Sequence, residues 1–452
     1  MTTPKIIVLD DDPTGSQTVH SCLLLMLWDV DTLRLGLRDK APIFFILTNT
    51  RALTPEKATQ VTREVCHNLQ LALAAENIQD FLIVSRSDST LRGHYPLETD
   101  AIAAILGPFD AHFLIPAFFE GGRITRDNVH YLMVNGQETP VHETEFAQDS
   151  VFGYHYSYLP DYVEEKTQEK IKAAQVERFL LPDIRQGCLA RLQNLQNNTC
   201  VVVDGEKQAD LDQFAQAVLT AADQGKRFLF RSAASILTSL AQLGTQPLAA
   251  EAMAQYKPTQ QAGVIIVGSH VKKTTEQLEN LLKEAGVVGV EIDVSFLRDF
   301  PEQRQLLLQS TLEKIQGIHW AQNTPVVYTS RQELTFDTVQ QRLDFGVAVS
   351  RLLMDIVQNL PEDIGFLISK GGITSNDVLS TGLRLRSARL LGQILPGCSM
   401  VRTDVDHPRF PNLPVVLFPG NVGDAQGLAI VYRRLNSQNP KKSSTKKLGL
   451  SS

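Results

Sequence analysis

Three carboxylates in a row, Asp10-Asp11-Asp12, close the strand-like run Ile6–Leu9 and open the loop Pro13-Thr14-Gly15-Ser16-Gln17-Thr18. Adjacent carboxylates repel one another, and no fold needs that cluster for stability. The grouping suits a base that accepts a substrate hydroxyl proton, or a set of ligands for a cation. Capping of the next helix by Asp12 or Thr14 is the structural alternative. A second polar segment, Ser85-Arg86-Ser87-Asp88-Ser89-Thr90-Leu91-Arg92-Gly93-His94, follows the strand-like run Phe81–Ser85. Its arginines offer planar forks for carboxylate or phosphate, and its hydroxyls suit a polyol.

A third segment, Pro116-Ala117-Phe118-Phe119-Glu120-Gly121-Gly122-Arg123-Ile124-Thr125, follows the strand Phe113–Ile115. Its glycine pair lets the backbone approach a ligand, with Arg123 and Glu120 to grip an acid and a hydroxyl. The run His142-Glu143-Thr144-Glu145-Phe146 lacks the second histidine of a zinc-protease motif. In the C-terminal half three strands each end in a glycine turn before a helix: Val267-Gly268-Ser269-His270, Lys370-Gly371-Gly372-Ile373-Thr374-Ser375-Asn376 and Pro419-Gly420-Asn421-Val422-Gly423-Asp424. Backbone N–H groups brought together in this way suit a polyphosphate. No Walker A motif G-x-x-x-x-G-K-[ST] occurs.

The elements that position these loops read as α/β. Strand-like runs at Ile6–Leu9, Ile43–Leu47, Phe81–Ser85 and Phe113–Ile115 alternate with the amphipathic stretches Pro55–Ala75 and Leu97–Leu106. The rhythm returns in Cys200–Val203, Leu211–Gln224 and Phe228–Phe230, then in Val264–Val267, Pro325–Tyr328, Gly365–Ser369 and Val415–Phe418. Such alternation predicts a mostly parallel sheet covered on both faces, with loops at strand carboxyl ends as the ligand side. The Gly-, Pro- and Gln-bearing stretch Gly244–Gly263 separates an N-terminal domain over 1–240 from a second over 260–436. The Ser- and Lys-rich segment 437–452 reads as a disordered tail.

The 452 residues carry 43 basic and 50 acidic side chains, a net charge of −7, and 43% are hydrophobic. That is an ordinary globular composition without the basic footprint of a nucleic-acid binder. Five scattered cysteines without a C-x-x-C pair predict neither disulfide framework nor structural zinc, and so a reducing, cytoplasmic setting. The apolar run Cys22–Trp28 is too short to span a membrane.

Asp10, Asp12 and Thr14 fit D-x-D-x-T, the nucleophile loop of haloacid-dehalogenase-like phosphatases, in which Asp10 would be phosphorylated. A much longer series resembles the four-carbon acid sugar kinase family. Asp11-Asp12-Pro13-Thr14-Gly15 is similar to its D-D-x-T-G, and Asp88-Ser89-Thr90-Leu91-Arg92-Gly93 to its D-S-T-L-R-G. Pro116-Ala117-Phe118 through Gly121-Gly122-Arg123 and Thr125 resembles P-A-F-x-x-G-G-R-x-T, and the run His142–Phe146 follows it. Gly268-Ser269, Gly371–Ser375 and Gly420–Asp424 are similar to G-S, G-G-x-T-S and G-N-x-G-D. Many members read D-D-L-T-G-A-N-D in the first motif and carry an acid where this chain has Ile373.

The resemblance implies two α/β domains, each with a mostly parallel sheet flanked by helices, and a ligand cleft between them that closes over the substrates. It implies transfer of the ATP γ-phosphoryl group to a hydroxyl of a small sugar acid such as a tetronate or 3-oxo-tetronate, with Mg²⁺ accompanying ATP. Asp12, with Asp11, would be the base and substrate anchor. Asp10, Thr14, Arg86, Asp88, Ser89, Thr90, Arg92 and Arg123 would contact the acid or the transferring phosphoryl group. Ser269, Gly371, Gly372, Ile373, Thr374, Gly420, Asn421, Val422 and Gly423 would cradle ATP. Expected partners are small molecules alone, without nucleic acid or membrane, and a homo-oligomer is compatible with the sequence. A phosphatase acting through Asp10, or a non-catalytic sensor of sugar acid or nucleotide, is the alternative.

Overall fold

A computed structural model describes residues 4–134, 136–269, 271–320, 322–331, 334–420 and 422–437. The segment 438–452, expected to be a disordered tail, lies outside the described residues. The chain divides into two compact units. The first comprises the residues up to Gln246 together with Ser375–Val401, and the second comprises Pro247–Thr374 and the residues from Arg402 onward.

In the first unit the strand order is Ser387–Leu395, Leu23–Leu25, Ile43–Leu47, Lys5–Asp10, Phe81–Arg86, Phe228–Ser232, Ala111–Ile115, Thr199–Val203 and Glu177–Phe179. All neighbours are parallel except Ser387–Leu395, which runs antiparallel to Leu23–Leu25. The strands are continuous apolar runs because helices cover both faces: every residue of Ile43–Leu47 is buried. Helix Pro55–Glu76 begins at a Thr54 cap with Pro55 in its first turn. It buries Ala58, Thr62, Val65, Cys66, Leu69, Ala72 and Leu73, the i, i+3, i+4, i+7 stripe of an amphipathic helix. Asn77, with φ at 55°, closes it in the left-handed region.

From Lys5–Asp10 the chain moves to one side of the sheet, and from Phe81–Arg86 to the other. The carboxyl ends of these two neighbours therefore form a topological switch point, where open α/β sheets bind ligands. Asp10 sits in register with Leu47 on one side and Arg86 on the other. A small antiparallel sheet of Arg123–Arg126, Val129–Val134 and Gln137–Pro140 carries the third polar segment.

Ser375–Val401, within the span expected for the second domain, packs with the first compact unit. Leu23–Leu25 is wholly buried, and its free edge needs a partner. Ser387–Leu395 supplies it, pairing Ser387 with Leu25 and Arg389 with Leu23. Arg389 also holds Asp39 through two bonds of 2.9 and 2.6 Å.

The second unit has the order Val287–Ile292, Thr324–Thr329, Val264–Val267, Leu367–Lys370 and Pro414–Phe418, all parallel. Its switch point lies between Val264–Val267 and Leu367–Lys370, the strands that deliver Ser269 and Gly371. All five cysteines are free and buried. No described helix is long and apolar enough to cross a membrane.

Candidate active site

The three adjacent aspartates have three different surroundings. Asp10 is fully buried at the strand end. Arg86 Nη1 donates to its Oδ1 at 3.3 Å, its Oδ2 has no hydrogen-bond partner, and a Cβ on Gly15 would lie 2.0 Å from Oδ1. Burial raises its pKa to about 8 against the opposing charge of Arg86, with Asp11 and Asp12 adding to the rise. A carboxyl so enclosed cannot reach a phosphoryl group, which removes the D-x-D-x-T reading. Asp10, expected as a substrate contact, is enclosed at the strand end with Arg86 as its hydrogen-bond donor.

Asp11 is also buried, but paired. Arg51 Nη2 donates to Oδ1 at 2.5 Å, Arg51 Nε to Oδ2 at 3.1 Å and Ser87 Oγ to Oδ2 at 2.6 Å. Burial disfavours its charge, yet the charge and hydrogen bonds of Arg51, with Arg86 and Arg231, hold its pKa below the ordinary carboxylate value. Asp12 alone reaches solvent, its side chain 21% exposed. Its Oδ1 closes an Asx turn, accepting from Thr14 N at 2.8 Å and from Thr14 Oγ1, while Oδ2 lies 3.6 Å from Arg51 Nη1.

The second segment folds back onto the same loop. Asp88 accepts from Arg92 Nε at 2.7 Å and from Thr90 Oγ1. Burial opposes its charge, but Arg51 and Arg92 hold its pKa well below the usual range. Gly93, at φ 124°, lets this happen: a Cβ there would lie 2.4 Å from Ser87 Oγ and 2.5 Å from Arg231 Nη2. Ser89 and Thr90 are buried, and their carbonyl groups accept from His130 Nε2 at 2.7 Å and Tyr154 Oη at 2.8 Å. Arg92 is stacked over Phe146, 4.8 Å from the ring centroid, and lies 3.6 Å from Asp149.

Arg123 differs from the other arginines of the site. Its Nη1 donates to the Gly121 carbonyl, its buried Nε has no partner, and among the described residues no carboxylate pairs with it. Burial draws its pKa below the ordinary guanidinium value, partly offset by the charge of Asp88.

In the second unit the three glycine turns meet. A Cβ on Gly268 would fall 2.4 Å from Thr374 Oγ1, and one on Gly371 3.2 Å from Ser269 Cβ. One on Gly420 would sit 3.9 Å from Ser269 Oγ. Thr274 Oγ1 donates to Ser269 Oγ and to the Gly420 carbonyl, each at 3.4 Å. Gln277 Nε2 holds the carbonyls of Val422 and Asp424 at 3.0 and 2.7 Å. Gly423 takes φ 78°. Gly372 opens a one-and-a-half-turn helix, and Ile373 projects outward, 69% exposed. Asn421 lies outside the described residues.

Residues 6–240 match the model of a sugar-binding N-terminal domain, and residues 264–428 that of a nucleotide-binding C-terminal domain. The chain belongs to the four-carbon acid sugar kinase family. It is 26% identical to the D-erythronate kinase of Heliobacterium modesticaldum over 315 residues, 65% of this chain and 64% of that one. It is 30% identical to the 3-oxo-tetronate kinase of Pectobacterium atrosepticum over 173 residues, 37% of this chain and 39% of that one. The chain thus matches less than two thirds of the length of either relative. The fold is shared with a Salmonella typhimurium protein described as a tRNA synthase (TM-score 0.69, 19% identity, 95% of this chain and 98% of that one). A Haemophilus influenzae protein is similar at TM-score 0.64 and 18% identity, over 95% of this chain and 100% of that one.

In this family member, sequence reading missed Arg51, which ties Asp11 and faces Asp12. The signal was present, since Thr48-Asn49-Thr50-Arg51 follows the strand Ile43–Leu47 beside the switch point. It also missed Arg231, buried against Glu98 at 2.7 Å, and Arg331, which follows the strand Thr324–Thr329.

Asp10 yields a pH prediction. The native state keeps its proton up to about pH 8, whereas an unfolded Asp releases it near the ordinary value of 3.8. Between those values the native state binds more protons, so stability falls as pH rises, on the order of 1 kcal/mol per pH unit from this group. Asp10→Asn removes that slope. Urea unfolding at pH 6, 7 and 8 should show the variant gaining on the native chain as pH rises. Parallel curves would mean that Asp10 is already ionised in the fold.

Proposed function

We propose that this chain is an ATP-dependent kinase that phosphorylates a hydroxyl of a four-carbon sugar acid, a tetronate or 3-oxo-tetronate. The names of the two curated relatives support the substrate class. The observation that carries the reading is the division of charges in the first unit. Asp11 and Asp88 are neutralised by Arg51 and Arg92, which leaves Asp12 accessible and Arg123 without a carboxylate. Asp12 takes the proton of the attacking hydroxyl, and Arg123 receives the carboxylate of the acid. Arg92, a quarter exposed beside Asp88, orients the remaining oxygens, while the buried Ser89 and Thr90 hold the loop in place.

Ser269, Gly371 to Thr374, Gly420, Val422 and Gly423 are the residues we assign to ATP. The glycines at 268, 371 and 420 let the three turns pack closely around Ser269 and Thr374, and backbone N–H groups gathered in this way suit a polyphosphate. Phosphoryl transfer then depends mainly on alignment and charge neutralisation. Among the described residues no three His, Cys, Asp or Glu side chains group as metal ligands, and Ile373 offers none. Mg²⁺ enters with ATP, held mainly by the phosphate oxygens, and needs no such cluster.

The test is to incubate the purified chain with ATP and Mg²⁺ and a panel of tetronates and 3-oxo-tetronates, following ADP release and the mass of the product. Acid-dependent ADP formation with a phosphorylated acid is expected. Ligand binding without turnover across the panel would turn the reading to a sensor. A companion prediction concerns Arg123→Gln, which should raise KM for the acid roughly 10–100-fold, the loss of a charge-assisted pair. KM for ATP should hold. An equal rise for both substrates would remove Arg123 from the carboxylate.

A further inference from the structure

We propose that Lys370 and Arg331 are positioning residues for the nucleotide turns, two cations that hold the turn carbonyls away from the phosphates and supply positive charge behind them. This rests on the nucleotide reading of the second unit given above. Lys370 is the last residue of its strand and is completely buried, a costly place for an ammonium group. Its Nζ donates to the carbonyl oxygens of Pro419 at 2.5 Å and Gly420 at 3.2 Å, and lies 4.2 Å from the centroid of the Phe418 ring. Arg331 does the same to the neighbouring turn. Its Nη1 donates to the Ser269 carbonyl at 2.6 Å, while Nε and Nη2 are anchored on Thr329 O and Oγ1 at 2.9 and 2.7 Å.

A turn that offers backbone N–H groups to an anion must point its carbonyl oxygens elsewhere, because those oxygens carry the negative end of each peptide dipole. In a planar peptide, binding the oxygen also fixes the direction of the N–H across the C–N bond. Bonds from Lys370 to Pro419 O therefore orient the Gly420 N–H, and two separate strands supply the same device to two turns that touch through Ser269. Neither cation needs to contact the nucleotide. Both raise the potential at the turns in a low-dielectric setting, where charge acts strongly.

The experiment uses the full chain and three probes, ATP, ADP and AMP, with binding measured by calorimetry. Lys370→Met keeps the length of the side chain without its charge, and Arg331→Gln serves as a second variant at a half-buried position, should the first fail to fold. Both should weaken ATP roughly 10–100-fold and AMP less than about threefold, because the lost charge acts on the phosphate chain. KM for the sugar acid should stay unchanged, and Arg331→Lys should recover part of the ATP affinity. Equal weakening of ATP and AMP, or a lower melting temperature with ATP affinity intact, would overturn the proposal and leave both residues with packing alone. Absence of ATP binding by the native chain would instead remove the nucleotide reading on which the proposal stands.

Discussion

Asp12→Asn should lower kcat with ATP and a tetronate by roughly 10²–10⁴-fold, the usual contribution of a positioned general base. Asparagine keeps the size of the side chain, and its oxygen can still accept from Thr14 N, so the Asx turn survives. What it loses is the ability to take a proton. Affinity for the acid should change little, and the melting temperature should hold, because the side chain is partly solvated, its hydrogen bonds are local and its one distant ion pair, to Arg51, is loose at 3.6 Å. The measurement is a coupled ADP assay beside a thermal melt of the same preparation. Native turnover in the variant would hand the base role elsewhere. Asp11→Asn makes the contrast, since that carboxylate is committed to Arg51 and should act through stability before it acts through rate.

Arg51→Met should cost about 3–5 kcal/mol of folding stability, the loss expected when one partner of a buried ion pair is removed and the other is left charged. Asp11 has no solvent to fall back on, and without Arg51 it keeps Ser87 Oγ, Arg86 3.7 Å away and the charge of Arg231. Urea unfolding at pH 7 reads the loss. The double variant Arg51→Met with Asp11→Asn should recover much of it, because the stranded charge is gone. A loss under about 1 kcal/mol in the single variant would mean that the pair behaves as an exposed one, and the buried electrostatic frame of the site would have to be redrawn.

Much of this molecule can be read from its chain because parallel strands covered on both faces must be continuous apolar runs. Ile43–Leu47 and Val264–Val267 are such runs, and both appear where their composition places them. Strands without that property escaped. Val287–Ile292 is an edge strand that alternates with exposed positions and contains Gly289, so it does not stand out from a loop. The hairpin sheet from Arg123 to Pro140 is short and polar, and its pairing depends on turns and on contacts such as Thr125 with Gly205.

The motifs single out loops at strand ends but cannot distinguish the surroundings of residues within them. Asp10, Asp11 and Asp12 are chemically identical in the chain, and only burial separates a neutral acid, a paired anion and an accessible carboxylate. Arg51 lies 40 residues from Asp11 and Arg331 lies 62 from Ser269, separations that local reading does not bridge.

By itself, then, the chain determined the α/β alternation, the glycine turns at strand ends and the family to which their order belongs, because these are local consequences of periodicity and backbone freedom. The tertiary structure alone decided which charges are neutralised, which stay accessible and where Ser375–Val401 packs. Those outcomes depend on desolvation and on partners distant in sequence, and neither quantity is a property of a residue's own neighbours along the chain.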